Sequence, residues 1–317
     1  MRGRLGISVN NRVEAEDARW LLSMAGLSDL DTMVSLEGGW DNSNFHLRLL
    51  DGSEVALKAW FANTLDEVRR VIKRHLHLDS HGIPTTVPIQ MLDGHYVAVK
   101  DGFAWTLLPF VKGGHLGSDE DSLRSLGETL ARMHSIPNAE CFPQEYRMGF
   151  VLFEEVIALS TRMGGGISFG RLLADESKHL RSIIPDNLPT GVLHGDLFPD
   201  NVIGESGRVC AILDLEEAWI GPMCFDIAMA FVGFGWEGNR PISSRWNSLI
   251  RGYQNVRILS DEEWRVIPEM HRYATLAIAC WRFWKHNLKE PDESLSRRYL
   301  EMIDRLEVEF DFSEASL

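Results

Sequence analysis

Residues 192–217 read VLHGDLFPDNVIGESGRVCAILDLEE. Two short apolar runs, Val192–Leu193 and Val209 to Leu213, bracket a loop that carries Asp196 and Asn201, and Asp214 closes the second run. These residue types at these intervals suit phosphoryl transfer from a magnesium nucleotide. One carboxylate must meet the attacking hydroxyl and accept its proton, while an amide oxygen and a second carboxylate hold the metal that neutralises phosphate charge. Asp196, Asn201 and Asp214 fill those roles in order. Pro199-Asp200-Asn201 alone would be ordinary turn chemistry. The conjunction is more specific, because His-Gly-Asp, a following Asn and a carboxylate at the end of the next apolar run occur together.

HGDLFPDN followed by ILDLEEAWIGPMCFDIAMA resembles the aminoglycoside phosphotransferase and choline kinase superfamily, and within it the bacterial homoserine kinases of the protein-kinase-like type. Asp41-Asn42-Ser43-Asn44-Phe45, His81-Gly82-Ile83-Pro84 and Trp281-Arg282-Phe283-Trp284 agree with that subgroup. The resemblance spans residues 36–286. It implies a two-lobed, protein-kinase-like α+β fold. A small antiparallel β-sheet lobe would occupy residues 1–109 and bind nucleotide, and a larger, mainly helical lobe would occupy 110–317, with ATP and Mg2+ between them. The implied activity is phosphorylation of a small-molecule hydroxyl, with homoserine or a similar amino alcohol as first choice. Another small acceptor (aminoglycoside, choline, methylthioribose or hydroxylysine) stays open, as does a nucleotide-binding scaffold without transferase activity.

Several residues acquire expected roles from the same resemblance. Lys58, in Val55-Ala56-Leu57-Lys58, stands one conservative change from the strand lysine that protein kinases place on nucleotide phosphates. Glu67 is the one Glu of the following helix and the candidate partner of that lysine. Gly38 and Gly39, in the turn Glu37 to Ser43, suit a cover over the phosphates, although no G-x-G-x-x-G is present. Pro109, Phe110 and Val111 belong to a hinge whose main chain would bond adenine. His194 and Asp226 are supporting residues, Asp226 by accepting hydrogen bonds from the catalytic-loop backbone. Glu216 and Glu217 stand where protein kinases carry Phe-Gly, and Glu217 is the candidate for a substrate ammonium. Arg282 is the candidate for a substrate carboxylate, since guanidinium matches carboxylate geometry.

Composition bounds these readings. The chain has 317 residues, 44% hydrophobic and 25% charged, with a formal net charge of −14. That balance argues against nucleic acid, which demands a basic face, and against an anionic membrane surface. Cys141, Cys210, Cys224 and Cys280 lack the close spacing of a zinc site and read as reduced thiols. The first residues carry no apolar signal segment, so a cytoplasmic location is expected. Pro222 to Trp236 and Tyr273 to Trp284 are apolar but too short to span a bilayer, and read as buried helices. Oligomeric state is not legible.

Along the chain, Val13 to Gly26 reads as a helix, and Thr32 to Leu50 with Gly52 to Trp60 as strands joined through the Asp51-Gly52 turn. Asn63 to His81 is a charged helix. Tyr96 to Lys100 and Phe103 to Phe110 are strands, and Asp119 to His134 is a helix with an apolar stripe. His134 at its end reads as structural. Residues 140–190 hold two helical patterns around Gly164-Gly165-Gly166 and point to no chemistry. Arg245 to Leu306 is helical, with Trp246, Trp264, Trp281 and Trp284 on apolar faces.

Overall fold

A computed structural model describes residues 13–36, 42–162 and 168–313. The expected phosphate-covering glycines, Gly38 and Gly39, and the Gly164-Gly165-Gly166 break lie outside the described residues. The chain divides into two compact units, residues 1–113 with 211–213, and residues 114–210 with 214–317.

The first unit contains α1 (Ala15–Met24), β1 (Leu30–Ser35), β2 (Ser43–Leu49), β3 (Glu54–Trp60), α2 (Leu65–Ser80), β4 (Ala98–Lys100) and β5 (Phe103–Pro109). Its strands form one sheet in the order β1-β2-β3-β5-β4, with every pairing antiparallel. Period-two patterning sets which way each side chain faces. Phe45, Leu47 and Leu49 of β2 and Val55, Leu57 and Ala59 of β3 join Leu21 and Leu22 of α1 in one core. Trp60 of β3 packs instead with Val68, Val71 and Ile72 of α2, so Lys58 shares the α2 side of the sheet. The β2–β3 turn works as its Asp-Gly signature requires: Gly52 has φ +84°, and Asp51 Oδ1 accepts from the Ser53 amide at 2.9 Å.

Ala211–Leu213 joins this unit through a short parallel bridge between Thr85 and Ile212. Ile212 N donates to the Pro84 carbonyl at 2.9 Å, and Thr85 Oγ1 donates to the Ile212 carbonyl at 2.8 Å. That pairing joins residues far apart in sequence and left no local signal.

The second unit contains β6 (Gly114–His115), α3 (Glu120–His134), α4 (Phe150–Arg162), α5 (Ser168–Ile183), β7 (Thr190–Leu193), β8 (Val202–Glu205), β9 (Arg208–Ile212, whose last two residues belong to the first unit), β10 (Trp219–Pro222), α6 (Met223–Phe234), β11 (Trp236–Glu237), β12 (Arg240–Pro241), α7 (Ser243–Gln254), α8 (Asp261–Phe283) and α9 (Leu300–Leu306). A π-helical turn, Trp284–Lys289, follows α8. α6 is buried along nearly its whole length, as its continuous apolar run demands. α3 and α7 approach closely because Gly127 and Gly252 sit at their crossing. A Cβ on Gly127 would lie 2.1 Å from the Leu249 carbonyl oxygen, and one on Gly252 2.0 Å from that of Arg124. Among the described residues, no helix is long and apolar enough to cross a membrane.

Candidate active site

The loop after β7 is positioned by a two-stranded ladder. β7 pairs antiparallel with β10 so that Leu193 faces Trp219 and Val192 faces Ile220. Continuing that register brings Gly195, just past β7, beside Glu217, just before β10. The approach leaves no room for a side chain: Gly195 has φ +83°, and a Cβ there would lie 2.6 Å from the Glu217 carbonyl oxygen. Tyr146 braces the same point. Its hydroxyl donates to the Gly195 carbonyl at 2.6 Å, and its ring stacks on Trp219 at 5.3 Å.

Beyond Asp196 the chain makes a 3-10 turn over Pro199–Asn201 and enters the β8–β9 hairpin. Ser206 and Gly207, both at positive φ (51° and 74°), form its tight turn. Asp214 follows β9 in the left-handed region, φ 52° and ψ 63°, and opens a second 3-10 turn, Leu215–Glu217. An aspartate held in that region stores backbone strain of a kind that clusters at functional sites.

Asp196 is half-buried. Asn201 Nδ2 donates to its carbonyl at 2.7 Å and to its Oδ2 at 3.3 Å, the only side-chain hydrogen bond to the carboxylate among the described residues. The Asp196 amide donates to His194 Nδ1 at 3.2 Å. Burial raises the Asp196 carboxyl most, the charges of Glu217, Asp200 and Asp214 raise it further, and the Asn201 bond only partly opposes them, leaving it at about 8.

Asp226 is fully buried, with its oxygens filled by the protein. Oδ2 accepts from the His194 amide at 2.6 Å and Oδ1 from the Gly195 amide at 2.8 Å. His134 Nε2 lies 3.3 Å from Oδ2, and its Nδ1 bonds the Tyr253 hydroxyl at 2.8 Å. Burial alone would raise the Asp226 carboxyl, but the hydrogen bonds and charges of His134 and His194 hold it below the usual carboxylate range. The His-Gly-Asp backbone is thus clamped from beneath by a carboxylate that stays ionised.

Glu217, only 8% exposed, has one side-chain partner among the described residues. Arg147 grips it with both Nε, at 3.1 Å, and Nη2, while the Arg147 side chain is 62% exposed. Arg147 and Tyr146 lie in the region that carried no chemical signal in the sequence. Their partners are distant along the chain, so neither spacing nor periodicity marks them.

Arg282 is buried, and its Nη1 donates to Glu301 at 2.8 Å and to the Arg298 carbonyl at 3.3 Å. Glu301 also accepts from Arg305 at 2.7 Å. In the first unit, Lys58 is buried on β3 between Asn44 and Thr106 in register, its Nζ 4.2 Å from the Trp60 ring centroid. Glu67 is the third residue of α2, where its Oε2 accepts from the Thr64 amide and hydroxyl, each at 2.7 Å, in a capping box. Pro109 ends β5, Phe110 stacks on His46 at 3.9 Å, and Val111 continues as irregular chain.

An amide oxygen and a carboxylate are donor types that a divalent cation takes. Asn201 commits its Nδ2 to Asp196, which turns the amide oxygen to the opposite side, and Asp214 adds a carboxylate. Among the described residues, no group of three or more His, Cys, Asp or Glu converges as a metal cage. Magnesium needs none, because it is held by one or two protein oxygens with phosphates and water completing the shell.

The family described as "Phosphotransferase enzyme family" matches residues 32–259. The chain belongs to this family. It is similar to a homoserine kinase of Sinorhizobium fredii, 26% identical over 265 residues covering 81% of each chain. A homoserine kinase of Neisseria meningitidis serogroup B is 27% identical over 288 residues, covering 89% of this chain and 91% of the relative. Among solved structures, an amicoumacin kinase in complex with AMP-PNP, Ca2+ and Ami superimposes with TM-score 0.70 at 14% identity, covering 94% of this chain and 97% of that one. A spectinomycin phosphotransferase with ADP and spectinomycin gives TM-score 0.67 at 18% identity, covering 95% and 96%. This phosphotransferase is a small-molecule kinase with a mixed α+β fold, combining an antiparallel sheet with a helical portion.

Proposed function

We propose that this kinase transfers the terminal phosphoryl group of ATP, with Mg2+, to the hydroxyl of a small amine-bearing acceptor in the cytoplasm, homoserine or a similar amino alcohol. The observation that carries the reading is the charge around Asp196. Burial first, and then the charges of Glu217, Asp200 and Asp214, together raise its carboxyl to about 8. Such an excess of negative charge favours cationic ligands. A bound divalent metal offsets part of it, and a substrate ammonium offsets more. Two relatives named homoserine kinase, each matched over more than four-fifths of its length, support this choice of acceptor.

In this reading Asp196 accepts the proton of the acceptor hydroxyl as its oxygen bonds to phosphorus, and the bond to the leaving ADP oxygen breaks. Asp226 and His194 keep Asp196 on station by bonding the loop's own amides. Asn201 and Asp214 would hold the metal, which would supply neutralisation of the charge on the transferring phosphate. Lys58 contributes positive charge to the nucleotide phosphates, with Glu67 at the start of the neighbouring helix and Gly38 and Gly39 covering them. The main chain of Pro109, Phe110 and Val111 bonds adenine. Glu217 receives the ammonium.

A coupled ADP-release assay over homoserine, choline, hydroxylysine, methylthioribose and aminoglycosides tests this assignment. Preferred turnover of homoserine is the expected result. Preference for an acceptor without an amine overturns it.

A further inference from the structure

Glu217 and Arg147 form an ion pair whose two ends differ in burial. The carboxylate is buried, on the residue whose carbonyl abuts Gly195, and its charge bears on Asp196. The guanidinium reaches in from solvent. Its main chain is fixed because the adjacent Tyr146 is locked to the Gly195 carbonyl and to Trp219. A buried carboxylate that loses its cation is strongly penalised. An exposed guanidinium that loses its anion is simply hydrated, at little cost. Arg147 is therefore the member that can swing aside, and only when something cationic replaces it on Glu217.

We propose that the Arg147–Glu217 pair is the recognition template for an α-amino-acid zwitterion: the substrate ammonium takes the place of Arg147 on Glu217, and the released Arg147 receives the substrate carboxylate. The proposal rests on the kinase reading above and narrows it from amino alcohols to hydroxylated amino acids. The exchange conserves charge pairing, since one internal ion pair and one free zwitterion become two intermolecular pairs. It assigns the carboxylate to Arg147 instead of Arg282, whose guanidinium is buried against Glu301 and the Arg298 carbonyl. It also makes selectivity unequal. An acceptor without an amine cannot open the pair, whereas one without a carboxylate opens it but brings no anion to the Arg147 fork.

The test compares homoserine with two truncated forms, the amino alcohol lacking its carboxylate and γ-hydroxybutyrate lacking its amine. Wild type, Arg147→Ala, Arg147→Lys and Glu217→Gln are assayed for kcat/KM on each. Wild type is expected to prefer homoserine over the amino alcohol by about tenfold or more, the worth of a charged hydrogen-bonded contact, and to disfavour γ-hydroxybutyrate far more strongly. In Arg147→Ala the homoserine preference over the amino alcohol collapses through KM, and Arg147→Lys restores part of it by keeping the charge without the fork. Glu217→Gln penalises both amines. A loss in Arg147→Ala that is equal for homoserine and the amino alcohol, or a wild-type preference for the amino alcohol, overturns the template while leaving the kinase reading intact. Transfer only to acceptors of another chemical class overturns both. Arg147→Ala strands the buried Glu217 carboxylate, so a denaturant titration of each variant accompanies the kinetics, and Arg147→Lys, which keeps a cation at that position, carries the comparison if Arg147→Ala is unfolded.

Discussion

Two carboxylates serve the same His-Gly-Asp turn, and the protein treats them oppositely. Beneath the turn, Asp226 is enclosed and fully supplied with donors from two backbone amides and His134, which Tyr253 orients in turn. Above it, Asp196 receives one long side-chain hydrogen bond and stands among Glu217, Asp200 and Asp214. The first carboxylate is held below its ordinary pKa and the second well above it. Where the chain supplies its own partners, a buried charge is architecture; where it crowds like charges with few donors, the missing cations must come from ligands.

Removing Asp226 should have the largest effect on stability. Asp226→Ala strands two buried amides and His134, and is expected to cost about 3–5 kcal/mol in chemical denaturation, the range for breaking a buried charged network. The pH dependence follows from the depressed carboxyl. Because the folded-state value lies below the unfolded one, Asp226 stabilises the fold above about pH 4, the ordinary aspartate value, and this contribution disappears as pH falls through the folded-state value. Asp226→Asn should flatten that acid limb. An unchanged limb would remove Asp226 from the architectural side of the comparison.

Gly195→Ala comes next. It places a Cβ in the left-handed region and against the Glu217 carbonyl, so a loss of about 2 kcal/mol or more is expected. Activity should fall as well, because relief of the clash moves the β7 and β10 ends apart. Wild-type stability in this variant would show that the approach of residues 195 and 217 is looser than the ladder register implies.

Smaller still is the effect of Asn201→Ala or Asp214→Ala on nucleotide affinity. Each should weaken ATP binding in the presence of Mg2+ by about tenfold, or 1.4 kcal/mol, and change it little when the metal is chelated. Titration calorimetry with and without Mg2+ measures both arms. Equal affinities in the two conditions for wild type and variants would take these residues out of the metal role.

Most of this architecture was legible where chemistry or periodicity repeats locally. His194, Asp196, Asn201 and Asp214 stand at intervals that one loop and one hairpin impose, and the helices of both units follow their apolar stripes. The Asp51-Gly52 turn and the buried run around Asp226 were equally plain. What stayed hidden depends on pairings far apart in sequence. Arg147 meets Glu217 across seventy positions, and Thr85 captures Ile212 from across the fold. Glu67 shows a different limit. Threonine followed three residues later by glutamate is a capping box in its own right, so the same residue answers to a helix-start signal as well as to a nucleotide-site role.

The most direct measurement is Asp196→Asn, assayed for turnover, nucleotide affinity and unfolding free energy on one preparation. If Asp196 is the proton acceptor on a face built for ligands, kcat falls about 10²–10⁴-fold, nucleotide affinity changes by less than about threefold, or 0.7 kcal/mol, and stability stays level or rises as like-charge repulsion is relieved. Near-wild-type turnover, or a loss of stability comparable to that of Asp226→Ala, would contradict it.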